Sequence, residues 1–384
     1  MIVAVDTWSL AATNRYHGYH VYAKRLLEEI KQLLDGQSTV EIRPFVFPRH
    51  ANDANNWTPS PGFQPTPANI FSADRRFWYC LGSQLAAASI RADLLFCPTF
   101  CIFPFGLVPT VTMIADTTPV KLAELLPHRE LAGRLLMKVA SRLSRKIITI
   151  SECSKRDIVA EYGVNPEKVT VTYLGYATEF YNTAPPDFDK QSALLQRLGI
   201  RKPYLLHHGG IHVRKNLVRL IEAFALLSNK YPDLDLQLVL AGTFSLRSEL
   251  IREAAAKSDP SGKRIVVTGA LPDEDMCLIV KGASLAVIPS LYEGFCLPLV
   301  EAMACGIPTI ASNNSCLPEI SGNVLRYFDP CSVEDIAAKM EMVLLDSCLS
   351  SQLSTAGAHR VQEFSWERCA RQTLNILTKA YRES

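Results

Sequence analysis

The sequence predicts an α/β protein of two doubly wound parallel-sheet domains in tandem. Three observations carry this expectation. Short apolar runs alternate with longer stretches whose apolar residues recur at helical spacing, as strands buried on both faces alternate with covering helices. The alternation breaks once, between Tyr181 and Arg201, where Pro185-Pro186 opens a polar stretch. A chain of 384 residues is also too long for one comfortable core. The expected division is 1–185 for the first domain, 186–202 for a linker holding a short helix, and 203–365 for the second domain. A last helix, 366–384, is expected to pack back on the first.

In the first domain Ile2 to Asp6 reads as the opening strand, with no signal peptide expected before it. Gly18 to Leu34 reads as an amphipathic helix with Val21, Leu26, Leu27 and Ile30 on its apolar face. Val40 to Val46 is a strand, and Pro48 to Pro67, rich in Asn and Pro, is a long loop. A helix follows from Trp78 to Ser89, then a strand at Leu94 to Pro98 and another at Thr110 to Ile114. Leu131 to Leu143 is a helix and Lys146 to Ser151 a strand; Ser151 or Ser154 caps the next helix, and Val169 to Tyr173 closes the sheet.

The second domain repeats the alternation from Tyr204-Leu-Leu-His-His onward. Its helices are Leu217 to Leu227, Ser248 to Ala256, Asp273 to Gly282 and one running through Leu299 to Ala304. Its strands are Gln237 to Ala241, Ile265 to Thr268, Ala283 to Pro289 and Thr309 to Ala311. Two such domains place a cleft between the carboxyl ends of their strands, where ligands bind in open α/β sheets.

Composition narrows the partners. A formal charge of +2 and no dense basic tract give no reason to expect nucleic acid. Eleven cysteines without a CxxC pair support neither a zinc site nor a disulfide framework, so a reducing, cytoplasmic setting is expected. No run approaches the ~18 uncharged apolar residues of a membrane span. Phe71 to Tyr79, aromatic with Arg75 and Arg76, is a candidate for peripheral contact with the inner face of a cell membrane. The ordinary role for such a stretch is a helix edge packed on its own domain.

The strongest chemical signal lies in Glu293-Gly-Phe-Cys-Leu-Pro-Leu-Val-Glu301. Glu293 falls on the loop beyond a strand's carboxyl end, and Glu301 on the helix that follows. Backbone amides over Gly294, Phe295, Cys296 and Leu297, near a helix start, can face an anion. The two carboxylates can accept hydrogen bonds from hydroxyls. Anion and hydroxyls together describe a sugar nucleotide. A second signal, Gly209-Gly210-Ile-His-Val-Arg214-Lys215-Asn216, also joins a strand to a helix. Its glycines admit close approach of backbone to phosphate, and its cations can neutralise a leaving group. A lone first-turn acid or a basic loop tip would be unremarkable alone; the pattern running through Pro289, Glu293, Pro298, Glu301, Gly306 and Pro308 is too elaborate for that.

On these residues the chain resembles the retaining glycosyltransferases of family four, whose signature is Glu, seven residues, Glu. The resemblance covers nearly the whole chain and is densest from Pro203 to Pro330. It implies the GT-B arrangement, two facing Rossmann-like domains with a cleft between them. It implies that Glu301 holds the ribose hydroxyls of a donor nucleotide, that Glu293 lies beside the transferred sugar, and that Lys215, with Arg214, meets the diphosphate. Cys296 stands where a glycine is common in the family. Ala115 stands where relatives often carry a histidine before the aspartate, and Asp116 keeps the aspartate. Asp116 is either a turn former or a group that orients the acceptor hydroxyl. Gly18, His17 and His20 are the other acceptor-side candidates, with a surface histidine the default for each.

The implied activity is transfer of a hexose from a nucleoside-diphosphate sugar, UDP-glucose by preference, to a hydroxyl of a glycan or lipid-linked glycan, with retention. Catalytic roles fall on Asp116, Glu293, Lys215 and Arg214. No cofactor and no metal are expected, and the chain is expected to be a monomer or a weak homodimer. The alternatives are a sugar-nucleotide epimerase or hydrolase on the same fold, and a non-catalytic sugar-nucleotide-binding assembly protein.

Overall fold

The computed structural model describes residues 1–7, 10, 18–34, 39–46, 66–67, 81–99, 106–122, 130–243 and 248–383. His17 and the stretch Phe71 to Tyr79 lie outside them, as does most of the loop expected at Pro48 to Pro67. The chain divides into two compact units, Met1–Gly175 with Phe364–Ser384, and Tyr176–Glu363.

The first unit holds strands β1 (Ile2–Asp6), β2 (Glu41–Val46), β3 (Thr66–Pro67), β4 (Leu94–Cys97), β5 (Thr110–Met113), β6 (Lys146–Thr149) and β7 (Val169–Val171). They form one parallel sheet in the order β3-β2-β1-β4-β5-β6-β7. β3 was not predicted: two residues carry no periodicity, and pairing with Phe45 and Val46 alone defines them. Pro67 is tolerated there because β3 is a sheet edge. Helices α1 (Gly18–Leu34), α2 (Ser83–Ser89), α3 (Thr118–Lys121), α4 (Glu130–Leu143) and α5 (Glu152–Tyr162) connect the strands. Ser151 caps α5 by accepting from Ser154 N at 3.0 Å, which decides between the two serines.

The C-terminal helix Trp366–Arg382 completes this unit. Trp366, Cys369, Ala370, Thr373, Ile376, Leu377 and Ala380 recur at three and four residues and are buried, the stripe a helix needs to dock. Against it α1 sets Tyr22, Ala23, Leu26, Leu27 and Ile30, with the Tyr22 and Trp366 ring centroids 6.4 Å apart. Tyr22 is fully buried there.

The second unit holds β8 (Tyr204–His208), β9 (Gln237–Ala241), β10 (Ile265–Gly269), β11 (Leu285–Ile288), β12 (Thr309–Ser312) and β13 (Arg326–Phe328). Their order is β10-β9-β8-β11-β12-β13, all parallel. β8, β9, β11 and β12 are buried at every residue, as strands covered on both faces are, and each has an apolar centre. The order reverses between β8 and β11, so the crevice beyond their carboxyl ends is a ligand position of this topology. The connecting helices are α6 (Phe188–Leu198), α7 (Leu217–Lys230), α8 (Glu249–Ser258), α9 (Asp273–Gly282), α10 (Leu297–Ala304), α11 (Leu317–Ser321), α12 (Val333–Leu345) and α13 (Ser347–Arg360). The segment 186–202 lies within this unit. Its helix α6 is tied to α9 by Gln191 Nε2 donating to Leu278 O at 2.7 Å and by the Arg197–Asp275 ion pair.

Candidate active site

Both sequence signals meet at the β8/β11 switch point. β8 leads into Gly209-Gly210 and a single 3-10 turn, Val213–Lys215, before α7. β11 leads into the loop bearing Glu293 and then α10. The two loops are joined by one backbone and one side-chain hydrogen bond. Leu291 N donates to Arg214 O at 2.9 Å, and Arg214 Nη1 donates to Tyr292 O at 2.8 Å. The β12 loop adds a third stitch, with Asn314 Nδ2 donating to Leu291 O at 2.9 Å and Glu293 N donating to Ser315 Oγ at 3.1 Å.

Glu293 and Lys215, both buried, form one ionic cluster with the half-buried Arg214. Lys215 Nζ lies 2.7 Å from Glu293 Oε1, and Arg214 Nη1 pairs with Oε2 of the same carboxylate. Burial by itself raises the Glu293 carboxyl, but the charges of Arg214 and Lys215 outweigh it and hold the group well below the usual carboxylate range. Two cations against one anion leave a net positive charge in a low-dielectric pocket, where it acts strongly on an anionic ligand. His212, beside these cations, is pushed down to about 3, by burial first and then by Arg214 and Lys215.

Close packing around the β8 loop explains Gly209 and, after β9, Gly242. A Cβ on Gly242 would overlap the Gly209 carbonyl, and one on Gly209 would sit 3.2 Å from Pro298 Cγ. Cys296 precedes α10 with φ 72°, a left-handed conformation that glycine adopts freely. This accounts for the glycine common there in the resembling family. The cysteine thiol is buried and pushed up to about 12, by burial first and then by Glu293. α10 begins at Leu297, two residues before the stretch its apolar pattern outlines, because Pro298 is admissible in a first turn.

Glu301, in α10, has a partner that sequence reasoning missed. His208 Nε2 lies 3.1 Å from Glu301 Oε2. His208 stands ninety-three positions away, and only the adjacency of β8 and β11 brings the two together. The neighbouring His207 is buried, with Nδ1 3.1 Å from Val287 O. Burial first, then Lys215, pushes it down to about 3, so it adds no charge to the cluster.

The other candidates lie in the first unit. Asp116 follows β5, and its Oδ1 accepts from Thr118 N at 2.8 Å, a turn-forming bond. It also lies near Tyr19, whose hydroxyl is pushed above its ordinary range by burial and then by Asp116. Gly18 is exposed at the start of α1, and His20 is half-buried. Three Asp-x-Asp triplets, 187–189, 233–235 and 273–275, serve local structure. Asp187 caps α6, Asp235 pairs with Arg201, and Asp273 to Asp275 occupy the first turn of α9. Among the described residues no group of three His, Cys, Asp or Glu is disposed to hold a metal, and no helix is long and apolar enough to cross a membrane.

Residues 192–360 match the family described as glycosyl transferases group 1. The chain is 30% identical over 237 residues to the O-antigen chain mannosyltransferase B of Escherichia coli. That stretch covers 60% of this chain and 60% of the relative, so the chain spans less than two thirds of the relative's length. In structure it is similar to sucrose-phosphate synthase of Thermosynechococcus elongatus, with a TM-score of 0.77 over 100% of both chains at 18% identity. It is similar also to Anabaena HepE in complex with UDP and glucose, with a TM-score of 0.71 over 99% of this chain and 100% of the other at 18% identity. Two Rossmann-like units of the GT-B fold and the Glu293-to-Glu301 signature at the switch point of the second thus accompany a stretch, residues 192–360, that is similar to the glycosyl transferases group 1.

Proposed function

We propose that the protein transfers a hexose from a nucleoside-diphosphate sugar to a hydroxyl of a glycan or lipid-linked glycan acceptor, with retention of anomeric configuration. The observation that carries this is the Arg214–Glu293–Lys215 cluster at the switch point, built around the buried Glu293, with Glu301 on the helix that follows. In this reading Arg214 and Lys215 stabilise the departing diphosphate. Glu293 steadies the hydroxyls of the transferred sugar, and Glu301 takes the ribose hydroxyls. The first unit supplies the acceptor side, with Asp116 orienting the attacking hydroxyl. No protein nucleophile is assigned; attack comes from the leaving-group side, and the donor phosphate receives the acceptor's proton.

The mannosyltransferase name of the Escherichia coli relative supports mannose, whereas the HepE complex supports a uridine nucleotide and glucose. At 30% against 18% identity the first weighs more. The test is a donor screen with UDP-glucose, UDP-galactose and GDP-mannose, wild type beside Glu301→Ala, following binding and slow donor hydrolysis without added metal. One donor that binds and turns over, and loses both in the variant, is the expected result. Free sugar isomer formed without acceptor would favour an epimerase instead. Absence of binding to every sugar nucleotide would overturn the assignment.

A further inference from the structure

We infer that His208 is the positioning residue for Glu301, fixing its carboxylate to receive the vicinal diol of a nucleotide's ribose. The inference rests on the donor-site reading above and adds a residue that the family signature does not contain. Three features support it. His208 ends β8 and is 1% exposed, so the surrounding core allows its ring little freedom. Its Nε2 lies 3.1 Å from Glu301 Oε2, while its Nδ1 is buried without a hydrogen-bond partner. The Glu301 side chain is 18% exposed, so His208 holds it at a place that solvent, and hence a ligand, still reaches.

The tautomer follows from these contacts. A ring with hydrogen on Nδ1 alone would aim a lone pair at a carboxylate and bury an unsatisfied N–H, two penalties at once. With hydrogen on Nε2, the ring donates a charge-assisted bond to Oε2. A carboxylate accepts about four hydrogen bonds. His208 uses one, fixes the rotamer, and leaves Oε1 and the outer lone pair of Oε2 for two hydroxyl donors. Without His208 the carboxylate would have to be ordered by the ligand itself, and affinity for the diol would fall.

The experiment is calorimetric titration of the full chain with UDP and GDP and with their 2′-deoxy and 3′-deoxy counterparts. Wild type is expected to bind the better ribonucleotide about tenfold tighter than its deoxy forms, the worth of one good hydrogen bond. In His208→Leu the preference should shrink to within about twofold, with the deoxy affinity unchanged. His208→Gln, whose amide nitrogen can occupy the Nε2 position, should restore it. A merely structural role would weaken ribo and deoxy ligands alike and would not be rescued by glutamine. If His208→Leu fails to fold, His208→Asn, too short to reach Glu301, replaces it with the same expectation. Retention of the ribose preference in these variants overturns the inference and leaves the donor site standing. Failure of wild type to bind any nucleoside diphosphate overturns both.

Discussion

Lys215 Nζ lies 2.7 Å from Glu293 Oε1, and the two side chains are 7% and 6% exposed. With Arg214 on the other oxygen, the carboxylate is the common partner of two cations. Removing it is therefore worse than removing either cation. Glu293→Gln leaves two positive groups facing each other in a buried site and should cost about 3–5 kcal/mol of stability. Lys215→Met leaves Glu293 paired with Arg214 and should cost less, about 1–2 kcal/mol, with most of its effect on diphosphate binding. Urea unfolding followed by circular dichroism reads the order. An equal or larger loss in Lys215→Met would show that the carboxylate does not hold the cluster together.

His207 makes stability sensitive to acid. Its folded-state pKa of about 3 lies below the ordinary 6.5, so the unfolded chain binds the proton first as pH falls. Its contribution is fully present above about pH 6.5 and is lost progressively toward pH 3, at about 1.4 kcal/mol per unit. His212 shifts in the same direction. Glu293, held below the carboxylate range, adds its own loss only as pH falls below about 4.5. His207→Asn keeps a donor for Val287 O and does not titrate. Between pH 6 and pH 5 its unfolding free energy should fall less steeply than that of wild type, by about one proton's worth. Parallel slopes would refute the assignment.

Cys296 holds a left-handed backbone at φ 72°, and such strain in a non-glycine residue costs about 1–2 kcal/mol. Cys296→Gly should match wild-type stability or exceed it by up to about 1 kcal/mol, the gain being partly offset by glycine's entropy in the unfolded chain. Cys296→Val, β-branched at the same angle, should lose more than about 2 kcal/mol. Chemical labelling gives an independent check. Among the described cysteines, Cys331 and Cys348 are exposed and should alkylate first at pH 8, whereas Cys296, buried with its thiol pushed up to about 12, should react only on unfolding.

Much of this fold is legible in the sequence because its central strands are buried on both faces. Val3 to Val5, Leu94 to Cys97 and Leu285 to Ile288 are apolar throughout, and no choice of register can hide that. Glu293, Arg214 and Lys215 were legible as two loop signals, since loops after strands are where an open sheet binds ligands. What was not legible is adjacency. Periodicity gives strands but not their order, and His208 meets Glu301 only because β8 neighbours β11. The same limit hid the membership of 186–202 in the second unit. Its prolines and charges look like a tether, but α6 buries Gln191, Leu194 and Leu195, so it packs as a component of that unit.

Among the described glycines of the first unit, Gly175 has the least room for a methyl group. A Cβ there would overlap the Trp366 backbone nitrogen and lie 2.7 Å from both Ser365 C and Trp366 Cγ. The neighbours are backbone and a buried ring, so neither can swing away. Gly175→Ala must therefore push the start of the C-terminal helix off the sheet, loosening the Tyr22–Trp366 contact and the stripe behind it. Overpacking of this kind costs about 1–3 kcal/mol where side chains can adjust, and the upper end or beyond is expected where they cannot. Gly18→Ala is the control, since nothing lies within 4 Å of its Cβ, and alanine favours a helix start as well as glycine does or better. All four tryptophans fall in the first unit's sequence, so their fluorescence follows that unit directly. Gly175→Ala should lower its unfolding midpoint and red-shift the native emission as Trp366 meets water, while Gly18→Ala should do neither. Unchanged emission and midpoint in Gly175→Ala would mean that the C-terminal helix does not dock through this contact.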